Sequence, residues 1–323
     1  MPKLILSLLL TFLLSLSLYR CGGQELGAFN KKKSQYTLKV VATTGMIGDM
    51  IKNIAGDHVY VTVLCGPGID PHTYKPTLRD VKKMRQADLV FYNGLHLEAD
   101  LIDFLRTDIA EKSIQVTKDI PKSMLLDWFE DGRIEGHDPH VWNNLPAWAL
   151  TTETVAEALS KKDPEQTDLY RKNGKLYAQK VMDLHQYAKK ELAKLPERDR
   201  ILVSGHDAFQ YFARSYGLQS IALMGISTVA ETGTREIRDI VNRIVKDKIK
   251  VIFTESILNN KGMQAIQKGV EANGKTVRLS DTELYSDALG QLRPVNTYLG
   301  MIKHNVDTIL RELGAREIQT ATR

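Results

Sequence analysis

From residue 38 onward, short apolar runs alternate with stretches of helical spacing. Residues 38–42 (Leu-Lys-Val-Val-Ala) and 59–65, rich in β-branched side chains, read as buried strands. Residues 46–55 between them carry apolar side chains at helical spacing, and 77–87 repeat that pattern with Thr77 placed to cap the first turn. Residues 89–92 are again a strand-like run. This βαβα rhythm predicts a parallel sheet covered by helices.

A long helix is predicted from Pro164, which suits a first helical turn, to Leu195, with Pro196 as its stop. The βα rhythm then resumes: strands at 201–203, 220–223, 251–254 and 276–279, helices at 208–216, 234–246, 261–273 and 296–313. The expected fold class is α/β: two lobes, each a parallel sheet flanked by helices, joined by one long bridging helix. The expected divisions are 1–20 as a signal peptide, 21–35 as a tether, 36–163 as the N-terminal lobe, 164–196 as the linking helix and 197–323 as the C-terminal lobe.

The leader changes where the protein is expected to work. Lys3 precedes an apolar run over residues 4–18, short for a bilayer span but suited to a secretory signal. Cys21-Gly22-Gly23 follows and resembles the lipobox of a bacterial lipoprotein, so Cys21 is the candidate lipidation site. Tyr19 and Arg20 stand where that motif usually has small residues. Cys65 is the only other cysteine, so no disulfide framework is expected. The 323 residues are 43% hydrophobic and 26% charged, ordinary for a globular protein. The net charge of +5 includes Lys3 and Arg20, and no basic stripe with interleaved aromatics accompanies it, so nucleic acid is not an expected partner.

Candidate chemistry lies at the strand ends, where open α/β sheets bind ligands. The strand at 59–65 runs into Gly66-Pro67-Gly68-Ile69-Asp70-Pro71-His72-Thr73-Tyr74. A near-copy, Asp138-Pro139-His140-Val141-Trp142, follows an irregular stretch. Proline stiffens each phrase and holds its histidine on a rigid stalk. The strand at 201–203 runs into Ser204-Gly205-His206-Asp207, and the strand at 276–279 into a loop with Asp281, Glu283 and Asp287. Three histidines on three loops, plus a choice of carboxylate, make a candidate metal-ligand set.

With these phrases, and with Tyr92-Asn93-Gly94-Leu95-His96-Leu97-Glu98 and Leu284-Tyr285-Ser286-Asp287-Ala288-Leu289-Gly290, the chain resembles the TroA-like zinc/manganese-binding proteins of bacterial ABC importers. The resemblance covers nearly the whole mature chain. It implies His72, His140, His206 and Asp287 as metal ligands, and Zn²⁺ or Mn²⁺ as the transported ion, with Fe²⁺ a further candidate. It also implies an ABC permease subunit as partner, a periplasmic or cell-surface location, a monomer, and no catalytic residues. Many manganese receptors of the family have Glu where His206 stands, and many zinc receptors have a His-rich loop that is missing from this sequence.

Glu255, Glu231 and His96 are candidates for hydrogen-bonding or supporting the ligands, while His58, His185 and His304 read as structural. Competing functions are a zinc hydrolase and a metal-stabilised surface adhesin. Four protein ligands leave no open position for a catalytic water, and neither a His-Glu-x-x-His helix nor a nucleophile elbow occurs. Because imidazole must be neutral to ligate, affinity is expected to fall below about pH 6.5.

Overall fold

The computed structural model describes residues 38–130, 132–229 and 232–314. The expected leader and tether, Cys21 and Glu231 lie outside the described residues. Strand β1 (Leu38–Thr44), helix α1 (Gly45–Ala55) and strand β2 (Val59–Cys65) form a first unit, with the strands parallel and Leu38 beside Val59. Helix α2 (Leu78–Gln86) returns the chain to β3 (Leu89–Tyr92), on the other side of β1, and β4 (Ser113–Gln115) extends the sheet to the order β2-β1-β3-β4. Strand side chains alternate between faces. Val40 and Ala42 therefore join the core built on α1, while Val41 packs with Val90, Met84, Leu101 and Leu105 on the other face. Both faces are covered, which is why these strands read as unbroken apolar runs. At the start of α2, Thr77 and Asp80 form a capping box, each side chain accepting from the other's backbone N–H.

Besides the short strand β4, a hairpin and a helix were not expected from the sequence. An antiparallel hairpin, β5 (Asp127–Glu130) and β6 (Arg133–His137), leads directly into Asp138. It exposes Phe129 and Ile134 and is irregular between Trp128 and Phe129, so its period-two pattern is broken. Helix α3 (Leu145–Lys162) is capped by Asn144, whose side chain accepts from the Ala147 N–H. Its buried positions, from Leu145 and Trp148 through Thr151, Thr152, Val155, Ala156 and Leu159, lie on nearly every side. Such a helix shows no single apolar stripe.

The expected 164–195 helix is a 3₁₀ turn, Pro164–Gln166, followed by α4 (Thr167–Leu192), about 39 Å long at 1.5 Å per residue. At Gly174 a Cβ would sit 3.3 Å from the Ala156 Cβ, so the glycine lets α3 and α4 approach closely. Helix α4 also packs on α1.

The second half contains β7 (Ile201–Ser204), α5 (Gln210–Tyr216), β8 (Gln219–Ala222), α6 (Thr234–Asp247), β9 (Val251–Ile252), α7 (Lys261–Ala272), β10 (Arg278–Leu279) and α8 (Tyr298–Gly314). β7 pairs with β8 and β9 with β10, all parallel, and the Phe253 N–H donates to the Val203 carbonyl at 2.8 Å to join the pairs. α5 starts two residues later than expected, because the backbone N–H groups of residues 205–208 are engaged by Glu255, Gly225 and the His206 carbonyl. The largest core cluster draws on both halves, from Val40, Met46 and Trp148 to Phe209, Tyr298 and Ile302. Among the described residues no helix is long and apolar enough to cross a membrane.

Candidate metal centre

The chain leaves β2 through a turn in which the Ile69 N–H donates to the Gly66 carbonyl, with Gly68 at φ +72°, a conformation that favours glycine. Asp70 then folds back, and its Oδ1 accepts the His72 backbone N–H at 2.9 Å. The second stalk repeats the device: Asp138 Oδ1 accepts the His140 backbone N–H, also at 2.9 Å. Each Asp-Pro-His phrase is thus an Asx turn closed on its own histidine. The copies differ in their remaining contacts. Asp138 Oδ1 also lies 2.7 Å from His140 Nδ1, whereas Asp70 Oδ2 accepts from the Thr228 hydroxyl at 2.5 Å.

His206 follows β7. Glu255 Oε1 accepts the N–H groups of both Gly205 and His206, at 2.7 and 2.9 Å, and its Oε2 lies 2.6 Å from His206 Nδ1. A Cβ on residue 205 would meet Leu258 at 2.8 Å and Glu255 Oε1 at 3.1 Å, so only glycine admits this approach. Asp287 stands in the loop after the Glu255–Leu284 bridge, and Asn305 of α8 clamps that loop by bonding both the N–H and the carbonyl of Tyr285.

The fold brings these four side chains together. His72 Nε2 lies 3.1 Å from His140 Nε2 and 3.2 Å from Asp287 Oδ2, which is also 3.2 Å from His206 Nε2. His140 Nε2 is 3.7 Å from Asp287 Oδ1. His72 is 5% exposed, Asp287 1%, and His140 and His206 are fully buried. Four ligand atoms on arms of about 2.0 Å around a tetrahedral ion stand about 3.3 Å apart, which these separations match. Asp287 Oδ1 has no hydrogen-bond partner among the described residues and remains available for a second bond to an ion. Asp138 and Glu255 lie within 2.7 Å of the Nδ1 atoms of His140 and His206, which favours a proton there and leaves Nε2 as the atom to face an ion once its own proton is displaced.

The charges are mutually dependent. Burial pushes the His140 pKa down, but the carboxylates of Asp287 and Asp138 outweigh it and raise it to about 9. Burial opposes the charge of His206 too, yet Glu255 and Asp287 carry its pKa well above the ordinary value. Burial would raise Asp287, but His206 and His140 hold it well below the usual carboxylate range. Burial dominates at His72, whose pKa is lowered.

Of the other sites suggested by sequence, Glu255 touches His206 as described, while His96 is exposed, with its ring edge towards Trp128. The Tyr74 hydroxyl donates to Asp80 in the α2 cap, and the Trp142 ring stands edge-on to His140. The contact of Asp138 with His140 Nδ1 was not expected, although an aspartate two residues before a ligand-type histidine is the signal for it. Glu98 was also missed as a brace. It is buried, accepts from the N–H groups of Asn93 and Gly94 and from the Thr43 hydroxyl, and so fixes Asn93, whose amide donates to the Pro139 carbonyl beside His140.

A family model described as ZnuA, the periplasmic component A of a zinc-uptake complex, matches residues 40–312. The manganese-binding lipoprotein MntA of Bacillus subtilis is 39% identical over 295 residues, covering 91% of this chain and 94% of the relative. The periplasmic zinc-binding protein TroA from Treponema pallidum superposes with a TM-score of 0.82 at 37% identity, covering 87% of this chain and 100% of TroA. Fe(III)-bound YtgA from Chlamydia trachomatis superposes with a TM-score of 0.77 at 30% identity, covering 86% and 99%. The chain therefore belongs to the ZnuA family: it is a solute-binding receptor for transition-metal ions that serves an ABC importer outside the cytoplasm, and not an enzyme.

Proposed function

We propose that His72, His140, His206 and Asp287 are the ligands of the transported ion, held between an N-terminal lobe at 36–163 and a C-terminal lobe at 197–323. The observation that carries this reading is the convergence of four buried donor atoms at the spacing of a coordination shell. Three neutral imidazoles and one carboxylate leave a divalent ion with a net charge near +1, and Asp138 and Glu255 lie behind the ligands to offset it. This is nitrogen-rich chemistry suited to Zn²⁺, and a two-oxygen grip by Asp287 admits Mn²⁺ or Fe²⁺.

Zn²⁺ is the tightest binder of the three by ligand chemistry, and Mn²⁺ uptake depends on its availability. The receptor passes its ion to the membrane subunit of an ABC permease, acts as a monomer, and is held at the membrane by lipid on Cys21. Competitive titration of the chelator-stripped chain with Zn²⁺, Mn²⁺ and Fe²⁺ tests the site. The expected result is one tightly held transition-metal ion per chain, with His72→Ala and Asp287→Ala folded but binding at least about 100-fold more weakly. Undiminished binding by those variants, or global unfolding of the stripped chain, would overturn the assignment.

A further inference from the structure

The two Asp-Pro-His stalks are built alike but held differently. Residues 138–143 are all buried. Side chains pin them to the second half of the chain: the Tyr211 hydroxyl donates to the Asp138 carbonyl at 2.9 Å, the Asn143 amide to the Ala208 carbonyl at 2.9 Å, and the Trp142 indole to the Ser286 carbonyl at 2.7 Å. The Tyr298 hydroxyl adds a bond to the Trp142 carbonyl, and Asn93 holds Pro139 from the first half. His140 therefore stands fixed beside His206 and Asp287.

The His72 stalk has far less support. Residues 67–69 and Thr73 are exposed. Apart from the contacts of the His72 ring itself, one hydrogen bond among the described residues ties 66–73 to the second half: the Thr228 hydroxyl donates to Asp70 Oδ2 at 2.5 Å. The other oxygen of that carboxylate accepts the His72 backbone N–H, so Asp70 carries the tie straight to the ligand. Asp70 and Thr228 are half-buried, with exposed Ile69 and Val229 beside them. They also line a cavity of about 430 Å³, which leaves open space beside the stalk.

An ion gripped by four buried side chains cannot leave until one of them gives way. A segment with little burial and few cross-links opens at the lowest cost. We propose that the ion enters and leaves by displacement of His72 from a standing set of His140, His206 and Asp287, and that Thr228 is the positioning residue that latches the His72 stalk shut. A bond from a hydroxyl to a carboxylate is charge-assisted and stronger than a neutral one. It is made only while the stalk is closed, so its loss is read in the dissociation rate.

The latch rests on the four-ligand reading of the centre. Chelator-chase release of Zn²⁺ from the loaded full chain tests it. Thr228→Val keeps the shape and removes the hydroxyl, and is expected to release at least about tenfold faster. Thr228→Ser, which restores the donor, should release at nearly the natural rate. In a His72→Ala background Thr228→Val should add nothing, because the ligand it positions is gone. In the metal-stripped natural chain, exchange broadening of amide NMR signals is expected over residues 66–73 and not over 138–143. Natural release by Thr228→Val, acceleration shared by Thr228→Ser, or acceleration that persists without His72 overturns the latch. Broadening confined to 138–143 overturns the choice of His72 as the displaced ligand. Undiminished Zn²⁺ binding by His72→Ala overturns the ligand assignment itself, an outcome distinct from all of these.

Discussion

The indole N–H of Trp142 donates to the carbonyl of Ser286 at 2.7 Å, across 144 residues of sequence. It joins the turn that carries His140 to the loop that carries Asp287, and the Tyr298 hydroxyl secures the same turn by donating to the Trp142 carbonyl. Trp142→Phe keeps the ring and removes only the donor. A buried carbonyl left without its partner costs about 1–3 kcal/mol. The variant is expected to melt earlier by that amount and to release Zn²⁺ faster, read by thermal melting and by chelator-chase kinetics. A faster release without a lower melting point would mean that the bond acts on the loop alone.

Protons compete with the ion more strongly than free imidazoles would. His140 keeps its proton up to about pH 9 in the metal-free site, and His206 is shifted in the same direction. Because the raised pKa favours the protonated state, an entering ion must expel those protons at neutral pH. Apparent affinity should therefore keep climbing from pH 6 to beyond pH 8, where ordinary histidines would have levelled off near 6.5. Calorimetry in two buffers of different ionisation enthalpy should show at least about one proton released per ion at pH 7. A count of zero would refute it.

Glu255→Gln and Asp138→Asn remove the charges that hold the two imidazole tautomers. Each is expected to weaken Zn²⁺ binding by about 10–100-fold, the usual effect of losing a carboxylate behind a ligand histidine. Gly205→Ala tests the same support sterically, since its methyl group would press on Glu255 Oε1 and Leu258. It should reproduce the affinity loss of Glu255→Gln and also lower the melting temperature, as overpacked sites do.

The cap of α2 makes stability depend on pH through a group other than the four proposed ligands. Burial opposes ionisation of Asp80, but hydrogen bonds from Thr77, Tyr74 and Lys83 outweigh it and hold its carboxyl below the usual range. A depressed folded-state pKa contributes stability above the unfolded value and loses it as the pH falls. The melting-temperature gap between the natural chain and Asp80→Asn should thus be widest near neutrality and begin to close only below about pH 4. Thr77→Ala should cost about 1 kcal/mol.

The parallel βαβα layout of β1, β2 and β3 was legible because its strands are apolar on both faces and their connecting helices carry clear stripes, whereas their order in the sheet was not. The strand-end rule likewise picked out side chains that the fold brings together, since Asp-Pro and Gly-rich turns announce rigid loops. Helix α3 was illegible for the opposite reason: only a thin exposed line through Glu153, Glu157 and Lys161 interrupts its buried surface, too narrow to set off an apolar stripe. The Trp128–Phe129 hairpin escaped because exposed Phe129 and Ile134 break the alternation expected of a half-buried strand. Asp138 was visible only as part of a stalk, because a sequence specifies a carboxylate but not where its second oxygen turns.

Gly174 and the helix around it bear on how the molecule comes apart. The largest core runs from Val40 and Met46, past Tyr177 and Val181 on α4, to Phe209 and Ile302. A core shared in this way ties the two halves together, even though residues 203–277 also carry a core of their own around Val203, Ile244 and Ile266. Heat or denaturant should give a single cooperative transition, and chains cut near residue 196 should yield two insoluble fragments rather than two working modules. Widening Gly174 to a bulky residue would press on Ala156 and Thr152 and push α4 away from α3.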